Sequence, residues 1–181
     1  MLAPPTASAA AIIGGTSDTD VRSDGVLSPA TNSTLVSGAF GSPLFDRSSV
    51  VVFQLPDLGA VANPFTSASL RFNLASKTGT PPNLDLYGLG RRASSAVLAG
   101  DYYGQSSTVD PTDATLLQNN ILISTTANGP VYTSSGGATA LRTYLNSQYA
   151  GGAGAGQYVF LRLSPTFATE RVCGLMMPVV A

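Results

Sequence analysis

Three aspartates stand at even spacing near the start of the chain, Asp18, Asp20 and Asp24. Alternate residues of an extended segment share a face, so this spacing puts three carboxylates on one side of a strand. Hard cations take several oxygen ligands at once, and these three residues are the expected metal site, with Ca2+ as the expected structural ion. The pattern is not an EF-hand loop, because the Gly and Glu that such a loop requires are missing. The same residues can also be read as solvated charges that protect an edge strand from pairing. A second group comprises Arg91 and Arg92, then Asp101, Tyr102 and Tyr103 between Gly100 and Gly104. Sugar rings stack their apolar faces on aromatic side chains, and their hydroxyls bond to Asp and Arg. Arg91, Arg92, Asp101, Tyr102 and Tyr103 are therefore the expected ligand-binding residues. The arginines suit a carboxylate or sulfate on an acidic polysaccharide. The alternative is a solvated arginine pair beside tyrosines that cap the core and keep their hydroxyls in water.

Other chemistry is excluded by residues the chain lacks. It contains 181 residues with no His, no Trp and a single Cys. Without His there is no Ser-His-Asp triad. A zinc site of Cys and His has no ligands, and one Cys cannot form a disulfide within the chain. Two-carboxylate glycoside hydrolysis is open on composition alone, since there are 10 acidic residues. Glu170 is the one glutamate, however, and a pair such as Asp85 and Asp101 has no telling spacing. The glycines from Gly151 to Gly156 lack the preceding strand and following helix of a nucleotide loop. Lys plus Arg is 9 and the net charge is −1, so nothing provides the basic excess of a phosphate-driven nucleic-acid binder. No catalytic residue is assigned, and the expectation is a protein that is not an enzyme.

The elements that must position these residues are mostly strands. Charged residues are only 10% of the chain, and its polar surface is Ser, Thr, Asn and Gly. Low Lys and Glu content disfavours long solvated helices. Ser48–Leu55 is nearly all apolar, ends at Pro56, and reads as a central strand buried on both faces. Ser67–Leu74 alternates, with Ala68, Leu70, Phe72 and Leu74 facing inward. Leu84, Leu86 and Leu89 mark another strand. In Gln157–Leu163, Val159, Leu161 and Leu163 share one face and Tyr158, Phe160 and Arg162 the other. Two short helices are expected. One is opened by Asp110-Pro111-Thr112-Asp113 and runs through Leu117 to Asn120. The other covers Thr139–Tyr149, with Leu141, Tyr144, Leu145 and Gln148 on one stripe and Gly151-Gly152 as its stop.

Residues 1–11 read as the tail of an export signal or a disordered N-terminus, with Ala7-Ser8-Ala9 in the small-x-small pattern of a cleavage site. Residues 12–181 form one domain. No run of about 18 apolar residues is long enough to span a membrane. Val172–Val180 reads as a final strand, and Cys173 in it as a buried small hydrophobe. The expected architecture is all-β, a jelly-roll-type β-sandwich with one or two short peripheral helices.

The order of motifs carries a resemblance. Asp18-Thr19-Asp20-Val21-Arg22-Ser23 is followed by Asp46-Arg47 and a strand ending Phe53-Gln54-Leu55-Pro56. Then come Phe65-Thr66-Ser67-Ala68-Ser69-Leu70-Arg71, Thr139-Ala140-Leu141 and Val159-Phe160-Leu161-Arg162-Leu163-Ser164. The set resembles the DNRLRE-type β-sandwich domains of exported bacterial proteins, some of which are carbohydrate-binding modules. It is also similar to exported proteins that carry a C-terminal Pro-Glu-Pro sorting signal, although that signal and the mid-domain Trp usual in the family are absent here. The resemblance implies a secreted or cell-surface module that binds polysaccharide in extracellular matrix without catalysis. The alternative is a structural or adhesive subunit that assembles with copies of itself and has no sugar ligand.

Overall fold

The computed structural model describes residues 12–13, 18–29, 34–40, 45–78, 83–103, 113–166 and 172–180. At 12–13, 29, 34–36, 38–40, 45, 78 and 172–180 the description is of the backbone alone. The export-signal reading of residues 1–11 and the environments of Glu170 and the Cys173 side chain lie outside the described residues.

Eleven strands and one α-helix make up the described chain: β1 (Ile12–Ile13), β2 (Thr19–Arg22), β3 (Leu27–Pro29), β4 (Thr34–Phe40), β5 (Phe45–Gln54), β6 (Leu70–Thr78), β7 (Leu84–Arg92), β8 (Thr115–Leu122), β9 (Gly129–Tyr132), α1 (Ser135–Tyr149), β10 (Tyr158–Pro165) and β11 (Val172–Val180). Every pairing is antiparallel. The ladder runs β8-β7-β10-β5-β4-β11-β6-β9, with β2 alongside β5, β3 on β2 and β1 on β11. It forms two antiparallel layers, so the architecture is the expected all-β sandwich. Pro178 has no N–H to give a ladder, and the register of β11 against β6 shifts between Met176 and Val179, around that residue.

The main core lies between the layers. Val51, Phe53, Val159, Leu161, Leu163, Leu84 and Leu86 come from β5, β10 and β7. They meet Leu70, Phe72, Leu74 and Val131 from β6 and β9. The alternation read for β6 holds, with Ala68, Leu70, Phe72 and Leu74 buried and Ser67 and Arg71 exposed. β5 is buried on both faces as expected. Val50 and Val52 belong to a second cluster with Val21, Val97 and Phe160, on the face opposite the main core.

The helix begins earlier than the Thr139 start expected from sequence. Ser134 caps it, its Oγ accepting from Gly137 N at 3.1 Å. Gly136 and Gly137 therefore lie inside the first turn, and the Gln118 side chain occupies the space a Cβ on Gly137 would need. The stop is as read: Ala150 is left-handed at φ 47° and Gly151 follows at φ 65°.

The helix expected over 110–120 is not formed where it can be described. Residues 110–112 lie outside the described residues, and Thr115–Leu122 is strand β8. Leu117 and Ile121 are four apart, a separation that puts two side chains on one face of a helix or of a strand. Asp113 and Asn120 take left-handed backbone at φ 54° and 50°, which interrupts a helix. β8 bulges against β7, its register shifting on both sides of Leu86. Buried Asp85 serves the bulge, accepting from Asn120 N at 2.7 Å.

Tyr144 ties α1 to the sheet. Its hydroxyl accepts from Gly90 N at 2.8 Å and donates toward Gly90 O at 3.2 Å. The ring fills the space over Gly88, where a Cβ would come within 2.5 Å of two ring carbons. Gly88→Ala is expected to lower stability by about 1–3 kcal/mol through overpacking. The urea midpoint should fall with its slope unchanged. An unchanged midpoint would show that the ring does not press on Gly88.

Candidate functional site

Of the five residues expected to bind a ligand, the structure brings together Arg92, Asp101, Tyr102 and Tyr103 and sets Arg91 apart. Residues 93–103 cross the second face of the sheet, over Val21, Val50, Val52 and Phe160, and Val97 enters that cluster. Polar contacts pin this cover. Arg92 grips the Asp101 carboxylate with both terminal nitrogens, one at 2.8 Å, while its guanidinium lies 4.2 Å from the Phe160 ring centroid. The same carboxylate accepts from Leu98 N at 2.8 Å. Arg162, fully buried on β10, donates to Asp101 O at 3.0 Å and to Ser164 Oγ at 2.7 Å. Its guanidinium lies 5.0 Å from the Tyr87 ring centroid and 5.3 Å from that of Tyr103. Ser48 Oγ donates to Tyr103 O at 2.7 Å. Tyr103 is buried and Tyr102 half-buried. Burial, then the charge of Asp46, push the Tyr102 hydroxyl up to about 12 against the opposing pull of Arg162. Arg91 turns the other way and donates to Gln148 O at the end of α1. Gly104 lies outside the described residues.

The three aspartates do not converge. Asp18 and Asp20 are buried against β5, whereas the chain leaves β2 after Arg22 and Asp24 sits exposed in the following turn. Gly25, at φ 83°, helps the chain make that turn. Asp24 pairs with Arg22 at 2.7 Å and accepts from Val26 N at 3.2 Å. Asp20 accepts from Ser49 Oγ at 3.2 Å and lies 3.8 Å from Arg47. Asp18 Oδ1 accepts from Val52 N at 2.8 Å, beyond the last β2–β5 pair at Thr19 and Val50. Its Oδ2 is buried without a hydrogen-bond partner among the described residues. Among the described residues no group of three or more acidic, His or Cys side chains is arranged to hold a metal ion. The expectation of one carboxylate face fails because the extended segment ends before Asp24, and the donor set does not fit a Ca2+ site.

A different place offers an open surface. Residues 55–69 form no regular secondary structure, yet α1 holds them by their backbone. Asn146 accepts from Phe65 N at 3.0 Å and donates to Phe65 O at 2.9 Å. Tyr149 Oη accepts from Leu58 N at 2.8 Å and donates to Gly59 O at 2.7 Å. The Phe65 ring meets the Tyr149 ring edge-on at 6.0 Å. Between this loop and α1 lies a cleft of about 630 Å³, lined by Asn63, Phe65 and Thr66 on one wall and Arg142, Thr143, Asn146 and Ser147 on the other. A smaller hollow of about 150 Å³ shares Thr66 and Arg142 and extends toward Ala68, Ala138 and Thr139. Sequence reasoning did not select these residues. Arg142 falls within the expected helix but off its apolar stripe, and Phe65 and Thr66 enter only as part of the motif that leads into the strand at Ser67. The available signal is length, since a long irregular segment inside a compact domain is usually functional.

No protein-family model matches the chain, and no curated protein matches it.

Burial pushes the Asp18 carboxyl up from its ordinary 3.8 to about 7, against the Val52 N–H that pulls it down. A raised carboxyl favours folding in its neutral form. That stability is full below pH 3.8 and is lost as pH rises through about 7. Burial raises Asp46 and Asp85 in the same direction. The protein is expected to melt lower at pH 8 than at pH 5. Asp18→Asn keeps an acceptor for Val52 N and should flatten that slope, melting above the parent at pH 8. An unchanged slope in thermal melts would remove Asp18 as its source.

Proposed function

We propose that this chain is a non-catalytic module that acts outside the cell, secreted or at the cell surface, and binds polysaccharide. The reading rests chiefly on the cleft between α1 and residues 55–69. Its volume suits a few sugar rings. Its lining combines amides, hydroxyls, one aromatic ring and one guanidinium, groups that bond to sugar hydroxyls and stack on a sugar face. Asn146 and Tyr149 hold the loop in place before any ligand arrives, and a preformed wall lowers the ordering cost of binding. The set of Arg91, Arg92, Asp101, Tyr102 and Tyr103 is less favoured, because Arg92 and Asp101 already hold the cover over the second sheet face and Arg91 bonds to Gln148 O.

Several further features support this reading. Asp20, Asp24 and Asp101 lie beside arginines, and Asp85 accepts a backbone N–H. Carboxylates so engaged are poorly placed as acid and base. The resemblance to exported carbohydrate-binding modules points the same way. No helix among the described residues is long and apolar enough to cross a membrane.

Self-assembly is the second reading. One observation favours it: β8 ends the ladder, with Leu116 exposed near its start and Ile123 exposed just past its end. The bulges of β8 and the left-handed Asn120 make that edge a poor template for strand addition, so polysaccharide binding is preferred.

Native gels cast with neutral and acidic polysaccharides should retard the protein. The double substitution Asn63→Ala, Thr66→Ala removes two exposed polar groups. It should weaken retardation about 5–30-fold in Kd, the worth of about two hydrogen bonds, with Tm unchanged. Retention of full affinity would move the site elsewhere. A chelator is expected to leave retardation unchanged, since Asp18, Asp20 and Asp24 do not converge. Concentration-dependent sedimentation with no retardation by any polymer would favour self-assembly.

A further inference from the structure

The described basic side chains have structural partners, with one exception. Arg22, Arg47 and Arg92 lie beside aspartates. Arg71 stacks on Tyr132 at 5.8 Å, Arg91 bonds to Gln148 O, and Lys77 bonds to the carbonyls of Ser124 and Thr126. Arg162 is buried in the network under the cover. Arg142 is exposed on α1 and, among the described residues, makes no ion pair or hydrogen bond through its side chain. It lines both the main cleft and the smaller hollow.

We infer that Arg142 makes the cleft selective for glycans that carry an anionic group. This rests on the polysaccharide reading above and adds the charge of the ligand. A guanidinium presents a planar fork of N–H donors that matches a carboxylate or a sulfate ester, and free of any carboxylate partner it need not break an existing pair to bind one. None of the residues described as lining the cleft is acidic, so nothing there repels an anion. Position adds a second element. Because Arg142 stands where the two hollows meet, surface continues on either side of it. The anionic group it receives then belongs to a sugar inside a chain, with neighbouring rings over Phe65 on one side and toward Thr139 on the other.

The test measures binding to polygalacturonate, dextran sulfate and neutral dextran by isothermal titration, for the parent chain, Arg142→Gln and Arg142→Lys. The parent should bind at least one anionic polymer at least tenfold more tightly than dextran. Arg142→Gln should lose that tenfold advantage, and Arg142→Lys should recover part of it, since the charge remains and the fork does not. Raising salt should weaken parent binding to the anionic polymer, because an exposed cation is screened. Binding to polygalacturonate alone would assign the anion as a carboxylate, and binding to dextran sulfate alone would assign a sulfate ester. Equal affinity of the parent for dextran and the anionic polymers, or full affinity of Arg142→Gln for them, would overturn the charge assignment and leave polysaccharide binding standing. Failure of the parent to bind any polymer would overturn both.

Discussion

Arg162 sets the terms for the rest of the molecule. It projects from β10 on the face away from the main core, and its guanidinium is wholly shielded from water. Withdrawing a cation from water costs several kcal/mol unless its donors are met. Here they meet Ser164 Oγ and the carbonyl of Asp101, between the rings of Tyr87 and Tyr103. The arrangement requires residues 93–103 to lie across the sheet, and so shields Val21, Val50, Val52 and Phe160 from water. Within this segment Asp101 N and Tyr102 N bond to Leu98 O and Ala99 O, and the remaining buried carbonyls need outside donors, because a buried orphan carbonyl is costly. Arg162 and Ser48 supply donors to two of them. The same logic places small hydroxyls at other buried positions, where Ser37 and Ser49 bond to each other at 2.7 Å and Ser49 reaches Asp20.

The helix works in a comparable way from the other side. It reaches the sheet through Tyr144 and the loop 55–69 through Asn146 and Tyr149. These three polar side chains all bind backbone, and two belong to tyrosines whose rings are buried. α1 thus packs one apolar stripe on the core, anchors to the sheet through the Tyr144 hydroxyl, and fixes the loop through Asn146 and Tyr149. The cleft lies between α1 and the loop that those two side chains hold.

What the sequence revealed follows from period. β6 alternates and β5 is continuously apolar, so their faces could be read directly, as could the division of β10 between two clusters. Asp110-Pro111-Thr112-Asp113 misled because a helix-start pattern is local and says nothing of the strand that follows it at Thr115, and the left-handed turn at Asn120 leaves no periodic trace. The aspartates misled in a related way. Even spacing implies a common face only while the chain stays extended, and β2 ends two residues before Asp24. Arg92, Asp101 and the two tyrosines were legible as a group that belongs together, but a pattern of residue types does not tell a group that holds the fold from one that waits for a ligand. The cleft was hidden for a different reason: it arises from a loop and a helix about 80 residues apart, joined by Asn146 at Phe65.

Asn146 and Tyr149 hold residues 55–69 by peptide groups at Leu58, Gly59 and Phe65, to which the Phe65 ring adds an edge-on contact with Tyr149. Peptide groups persist when side chains are exchanged. The outward positions of this loop can therefore change identity while the loop keeps its course, much as the walls of a mould can be relined without recasting the frame. A scaffold of this kind lets recognition diverge without renegotiating the fold, and it marks Asn63 and Thr66 as places where a new specificity could be installed by substitution alone.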